Sequence, residues 1–522
     1  MRHLLYSICI IAVVLLSSCR QDFDFEPSNG TELRFSRDTV YLDTVFTNIG
    51  SSTYTLKVYN KSDKDISIPT IQLGRGLESK YRMTVDGMQG TNGKIFENVE
   101  LLAEDSLYIF IETTAGIADA NPDDFLYTDQ IKFSSGSNIQ TVELVTLIKD
   151  AVFLYPQRYE DGTYEGIQIG DDLFYGFFLD ENDPVNGNEY LFTNAKPYVI
   201  YGLAAVAPDK NLVIQPGARI HFHADSALLV ASGGSVQAQG APSVTDALEN
   251  EIIFEGDRLE PGFDDFAGQW FGIWLTSGSL SSTFEHVTLK NSFFGLRIED
   301  NDGIVSIKNT QIYNNAYTGI LARTATIEAE NLVINSAGEV ALACTLGGSY
   351  IFKHCTFNNN WSSSRQLAVL IDNYFSLDPD QDPTTIDEQA YVLEKAEFHN
   401  CIIYGSNQIE LRINKSSVDP DNNWTAPVFN QVLVKFNNTN NAYTDDEDYQ
   451  FLYDTDSIRK NQNPDFEDVN KNKLRIGAES AANDFGDPNI SQDVPFDLAG
   501  QQRPIAPSPS DLGAYESTDF EE

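Results

Sequence analysis

A repeat of about 23 residues constrains this chain more than any other feature. In one register, Phe284, His286, Val287, Leu289 and Asn291 are followed at the same offsets by Ile307, Asn309, Thr310, Ile312 and Asn314. The pattern returns at Ala329, Asn331, Leu332, Ile334 and Ser336, then at Phe352, His354, Cys355, Phe357 and Asn359. Its last copy is Phe398, Asn400, Cys401, Ile403 and Gly405. The steps are 23, 22, 23 and 46 residues. A second register, Gly272-Ile273, Gly295-Leu296 and Gly319-Ile320, keeps the same step. Periods of this size mean an array in which each unit stacks on the last. Leucine-rich repeats need a dense Leu skeleton, and helical repeats need longer periods with 3.6-spaced apolar residues; both are missing. Short strands between Gly/Asn turns fit coils of a right-handed parallel β-helix, stacked at roughly 4.8 Å. About ten such coils make a rod of roughly 50 Å.

Stacking puts like residues in like places. Phe284, Ile307, Phe352 and Phe398 are expected to form an interior apolar stack, and Leu289, Ile312, Ile334, Phe357 and Ile403 a second one. Asn291, Asn314 and Asn359 are expected to form an amide ladder at a turn. A change of side-chain parity between the third and sixth positions requires a bend there. Cys355 and Cys401 share one slot and read as small buried thiols. The step of 46 hides an excursion: the Pro- and Asp-rich stretch within 372–393 reads as a loop leaving the rod. The segment 443–457 reads as a second acidic loop, and the chain from 463 onward as a cap on the rod's end.

Three further stretches carry a resemblance. Leu212-Val213-Ile214-Gln215-Pro216-Gly217-Ala218-Arg219-Ile220-His221-Phe222 resembles the opening coils of bacterial right-handed β-helix repeat proteins. So do Gly268-Gln269-Trp270-Phe271-Gly272-Ile273 and His354-Cys355-Thr356-Phe357. The ending Gly500-Gln501-Gln502-Arg503-Pro504 with Asp511-Leu512-Gly513-Ala514-Tyr515-Glu516 resembles the tail of many such extracellular proteins. The resemblance covers residues 190–516 and implies a fold, not an activity.

Upstream the pattern changes to alternation. Thr39–Phe46, Thr53–Asn60, Lys64–Leu73 and Ser106–Thr113 read as half-buried strands, broken at Asn48-Ile49-Gly50, Asp86-Gly87 and Asn92-Gly93. Eight or nine short strands without cysteine suggest a β-sandwich of immunoglobulin type. It resembles the Ig-like modules that precede larger domains in bacterial surface proteins, where they act as spacers.

The N-terminus supplies an address. Arg2 and His3 precede an apolar run, Leu4 to Leu16, too short to span a bilayer and proportioned as a signal-peptide core. Its end, Leu16-Ser17-Ser18-Cys19, resembles the lipobox of bacterial lipoproteins, which implies cleavage before Cys19 and lipidation of its sulfur. Several acyl chains on one residue give stable anchoring. In such lipoproteins Asp after the Cys signals retention in the inner membrane. Arg20 stands there instead, so the outer membrane is the expected address, with the cell surface slightly favoured over the periplasmic face. The acidic run 21–26 reads equally as a surface-routing tether or a solvated linker.

The whole is therefore expected to be all-β: a right-handed parallel β-helix solenoid of ~23-residue coils preceded by a β-sandwich. Its parts are a lipoprotein signal peptide (1–18), an acidic tether (19–30), the Ig-like β-sandwich (31–150), a connecting segment (151–189), the β-helix (190–462) and a C-terminal capping segment (463–522).

Charge narrows the function. With 34 basic and 77 acidic residues, the net charge of −43 argues against nucleic acid. The hydrolase set of Asp-Asp, Gly-His-Gly and Arg-Ile-Lys blocks is represented only by Asp pairs such as Asp264-Asp265. The cations Arg297, Arg323, Arg365 and Arg412 form no lyase block. His221-x-His223 places two rings on one side of a strand, but no third zinc ligand accompanies them. His286 and His354 occupy a slot held elsewhere by Asn, so they read first as ladder members.

A non-catalytic surface protein that binds glycan, or another surface component, is the leading expectation. A polysaccharide lyase or glycoside hydrolase is the alternative. A glycan site is expected around His354, Trp361, Arg365 and Asp372, beside the excursion, because sites favour loops that leave rigid scaffolds. Trp361 would stack on sugar, while Arg365 and Asp372 would supply a fork donor and an acceptor. No cofactor is expected, with Ca²⁺ on Asp378, Asp380 and Asp382 as the one ion the sequence could take.

Overall fold

The computed structural model describes residues 25–520 except 29–31, 123–124, 136–137, 246, 261, 378–387 and 420. Nearly all its regular structure is strand. The chain divides into two compact units, 1–150 with 259–261, and 151–258 with 262–522.

Among the described residues, the first unit has a six-stranded and a four-stranded sheet. Alternation explains both. Along Ser106–Thr113, Leu107, Ile109 and Ile111 are buried while Tyr108 and Phe110 are exposed. Inward residues of both sheets form one core, including Val40, Leu56, Ile68, Tyr81, Ile109 and Ile131. Left-handed backbone at Asn48, Asp86 and Asn92 makes the turns between strands, a conformation Asn and Asp tolerate.

In the second unit most strands pair in parallel with the third strand along the chain. Ala227–Val230 pairs Gly272–Leu275, which pairs Phe294–Glu299, which pairs the start of Thr318–Ala337. Three strands therefore complete one turn of the chain. The repeat register is the pairing register: Phe284 pairs Ile307, then Ala329, then Phe352, then Phe398, then Phe429. Phe352, Phe398 and Phe429 stack at 5.0 and 5.1 Å between ring centroids. Each such buried ring contributes about 1.5–3 kcal/mol. The 46-residue step is one turn of chain, because Phe352 and Phe398 are direct neighbours. The strand Tyr374–Ser376 pairs Glu388–Ala390 outside the main sheet, which marks the excursion.

The bend falls on the third slot. His286, Asn309, Asn331, His354, Asn400 and Gln431 all have φ between 48° and 53°. A left-handed residue there re-aims the chain, and Asn bears that conformation better than most L-residues. The same side chains bond along the stack. Asn331 Nδ2 donates to Asn309 Oδ1 at 2.9 Å, and Asn400 Nδ2 lies 3.0 Å from His354 Nε2. The expected ladder at Asn291, Asn314 and Asn359 holds only in part. Asn314 donates to Asn291 at 3.3 Å, but Asn359 bonds main chain instead, accepting from Ala337 N of the preceding coil and donating to Leu367 O of its own. Cys344, Cys355 and Cys401 are buried and free.

The ends are closed differently from the sequence expectation. The acidic segment folds as a 3-10 turn, Glu447–Tyr453, that plugs the last coil. Phe451 stacks on Phe429 at 4.2 Å, and Tyr449 OH bonds Ile413. The C-terminal segment lies along a flank of the coils instead. Val469 O accepts from Asn335, Phe496 O from Asn331, and Gly513 N donates to Asn400 O. Arg503, fully buried, holds Glu516, Asn331 and Gly513 O together.

Candidate functional site

Each coil strand sends alternate side chains outward. In the strands from Gly272–Leu275 to Leu411–Asn414, one outward column runs Trp274, Arg297, Leu321, Ala343, Leu370 and Arg412. A neighbouring column runs Glu299, Arg323 and Thr345, with Asp372 beside Thr345. The apolar members of such a face need a cover. At its beginning it has one: the hairpin of Gly166–Ile169 and Asp172–Phe178 lays Ile167 and Ile169 over Leu203, Ala205 and Leu229.

Further along, the face opens into a groove of about 460 Å³. Leu321, Ala343 and Leu370 floor it, and Tyr374, Phe375 and Tyr391, from the stem of the excursion, line it as well. Tyr317, Arg323, Glu339 and Asp372 are among the other lining residues. Tyr317 is the last ring of a stack with Phe293 and Phe271, at 5.6 and 6.2 Å between centroids.

Asp372 is pushed up to about 6, chiefly by burial, against the opposing pull of the Leu346 N–H and Arg323. Its Oδ1 accepts from Leu346 N at 2.8 Å. Arg323 lies 3.6 Å from Glu299, which also takes two bonds from Arg297 and one from Trp274 Nε1. Arg297 is stacked over the Trp274 ring at 4.2 Å. Burial, with the neighbouring Glu339, raises the Tyr317 phenol.

The four residues expected to share a site do not. His354 is completely buried, between Asn400 Nδ2 at 3.0 Å and Ser491 Oγ at 3.1 Å, so it presents nothing to a ligand. Trp361 is half-buried and Arg365 exposed, both ahead of the strand Leu367–Asp372. Asp372 ends that six-residue strand, while Arg365 lies in the turn before its start and does not line the groove of Asp372. The cation acting on Asp372 is Arg323. Cys19, Asp378, Asp380 and Asp382 lie outside the described residues. Of the histidine pair, His221 is buried near Glu255, while His223 bonds Asp257 at 2.7 Å. Among the described residues no group of three metal-ligating side chains occurs.

Tyr317, Glu339, Tyr374 and Tyr391 were not singled out from sequence. The signal that could have found them is the run of apolar residues in outward phase, Leu321, Ala343 and Leu370, which demands a cover or a ligand.

A larger groove, about 700 Å³, lies on the flank between the loop near 244 and the C-terminal segment. Several of its charges and amides pair with one another, as in Lys308 with Glu330 at 2.9 Å and Asn331 with Asn309.

No family model matches this chain, and no curated protein matches it. Among solved structures, part of the chain is similar to a family 123 glycoside hydrolase from Clostridium perfringens, studied for glycolipid glycan hydrolysis. The identity is 9% and the TM-score 0.16, over 23% of this chain and 26% of that enzyme. The chain thus spans about a quarter of that enzyme's length, and so low a score bears on neither fold nor activity.

Proposed function

We propose that the protein is an outer-membrane lipoprotein, anchored through Cys19, whose right-handed parallel β-helix binds a saccharide in the Asp372 groove. The Ig-like module spaces that groove from the membrane. One observation carries the saccharide reading: an apolar floor lies under tyrosine rings, with Asp372, Glu339 and Arg323 at its margins. Sugars present apolar C–H faces and a polar hydroxyl edge, and such sites match both. The handedness and the Ig-like module rest on the sequence resemblance, and the address on the segment ending in Cys19.

Screening the purified chain against a glycan panel tests the reading. Binding that falls more than tenfold in Tyr317→Ala and Tyr391→Ala, with folding retained, supports it. A panel with no bound glycan sinks it. Acyl labelling tests the anchor: a Cys19→Ser chain that is still cut and labelled removes it.

A catalytic reading rests on Asp372, whose carboxyl titrates near 6, where a group serves as acid and base alike. Glu339 is the second carboxylate of the groove. Release of unsaturated or reducing ends during the same screen, lost in Asp372→Asn, would favour it.

A further inference from the structure

We infer that the saccharide taken by this groove carries a free protonated amino group, not a carboxylate; the inference rests on the saccharide reading above. Charge complementarity leads to it. Among the described lining residues Arg323 is the cation, against Glu339 and Asp372. Arg323 is itself drawn to Glu299, at 3.6 Å, beside Arg297 at 2.8 Å from the same carboxylate. Both guanidinium groups are therefore engaged before any ligand arrives, and a uronate would compete with Glu299 for them. Arg412 follows Leu370 in the outward column but does not line the groove.

The acids lack equivalent partners. No ion pair reaches Glu339 or Asp372 among the described residues; Glu339 has the Tyr317 hydroxyl, and Asp372 has the Leu346 N–H and the pull of Arg323 against its burial. A carboxylate in that position gains most from a charge that enters with the ligand. The rings that line the groove favour a cation over their faces and still stack on a sugar's C–H surface. The net charge of −43 also gathers cations and repels polyanions before contact.

The pH dependence has a definite shape. Asp372 must be ionised and the amine protonated, so binding rises as pH climbs through about 6 and falls again when the amine loses its proton. The other titratable groups acting on Asp372 do not blur this. Cys344 and Tyr350, both buried, titrate well above their ordinary values, and burial, with Glu388 and Asp372 beside it, raises Tyr374 as well.

Calorimetric titration of the full chain tests the inference, with three probes: glucosamine oligomers, their N-acetylated counterparts and oligogalacturonates. The expected result is binding of the amine oligomers at neutral pH at least ~10-fold tighter than either other probe, the size of one lost ion pair in a partly buried site. Asp372→Asn should abolish the rise near pH 6 and weaken binding ~10-fold. Glu339→Gln, on an exposed rim where folding is not at risk, should weaken it a few-fold and keep the rise. Equal or tighter binding of the N-acetylated or uronate probe overturns the inference and leaves the saccharide reading standing. Binding unchanged in Glu339→Gln and independent of pH overturns it as well, even if Asp372→Asn fails to fold. No binding by any glycan overturns both.

Discussion

The chain treats two of the coil unit's outward surfaces in opposite ways. On the flank, the third-slot ladder is polar and left-handed in backbone, and the C-terminal segment covers it from Asn331 to Asn400 with main-chain bonds and the buried Arg503–Glu516 pair. On the sheet face, the outward columns mix apolar residues with Arg297, Glu299, Arg323 and Asp372, and the hairpin 166–178 covers only their beginning. Past Trp274 that cover ends; Phe294, Tyr317 and Val340 pack around the buried Leu321 and Ala343, and the carboxylate with the raised titration lines the groove beside them. The comparison teaches where to look for function in a stacked-coil protein. A surface closed by its own chain is satisfied; a groove left beside such a surface, lined by rings and carboxylates, is where a ligand can enter.

Breaking the covered flank should have the largest effect. Arg503→Leu leaves Glu516, Asp497 and Asp511 buried without their cation and should destabilise the coil unit by about 3–5 kcal/mol in denaturant unfolding. Proteolysis should then cut the C-terminal segment first. An unfolding midpoint like wild type would show that the segment adheres by packing alone.

The covered half of the sheet face comes next. Ile167→Ala removes the hairpin's buried anchor over Leu229 and Ala205, at a cost of about 2–4 kcal/mol. It should also expose apolar surface that binds a hydrophobic dye, as the open half does not when saccharide occupies it. Equal dye binding by both proteins would mean that the hairpin is not a cover.

Asn309 separates the two roles of the ladder. Asn309→Ala loses both the left-handed tolerance and the bond to Asn331, about 2 kcal/mol together. Asn309→Gly keeps the backbone conformation and loses the bond, so about half of that should return. Identical losses in the two variants would remove the conformational argument.

The smallest effect has the opposite sign. The Asp372 carboxyl is raised in the folded state, so the folded chain holds a proton there that the unfolded chain has released. That contribution is present below about pH 4 and is lost as pH rises through about 6. Asp372→Asn should therefore raise stability above pH 6 by on the order of 1 kcal/mol, discounted for partial exposure, while binding falls. A variant less stable than wild type at neutral pH would make Asp372 a structural group and not a binding one.

The repeat made much of this visible in advance. Phe284, Ile307, Phe352 and Phe398 pair as their spacing aligned them, because side chains in register on neighbouring coils must share one environment. The bend at the third slot was also legible, since Asn recurs there and Asn tolerates the left-handed region. His354 shows the limit. Its neighbours in the slot said ladder, and the structure agrees; grouping it with Trp361, Arg365 and Asp372 relied on closeness along the chain. The strand Leu367–Asp372 carries Asp372 away from the turn that holds Arg365, and only Asp372 lines the groove.

What the sequence determined by itself was local and periodic: strand or turn, inward or outward, and which residue stacks on which. These follow from the alternation of side chains and from the turn residues, which act over a few positions. Only the tertiary structure decided which surfaces were covered. That the segment 443–457 plugs an end, that 463–520 lies along the flank, and that Tyr391 and Arg323 meet at Asp372 are contacts between residues distant in the chain. No local preference encodes them, because each depends on which apolar or polar surface the rest of the chain has left uncovered.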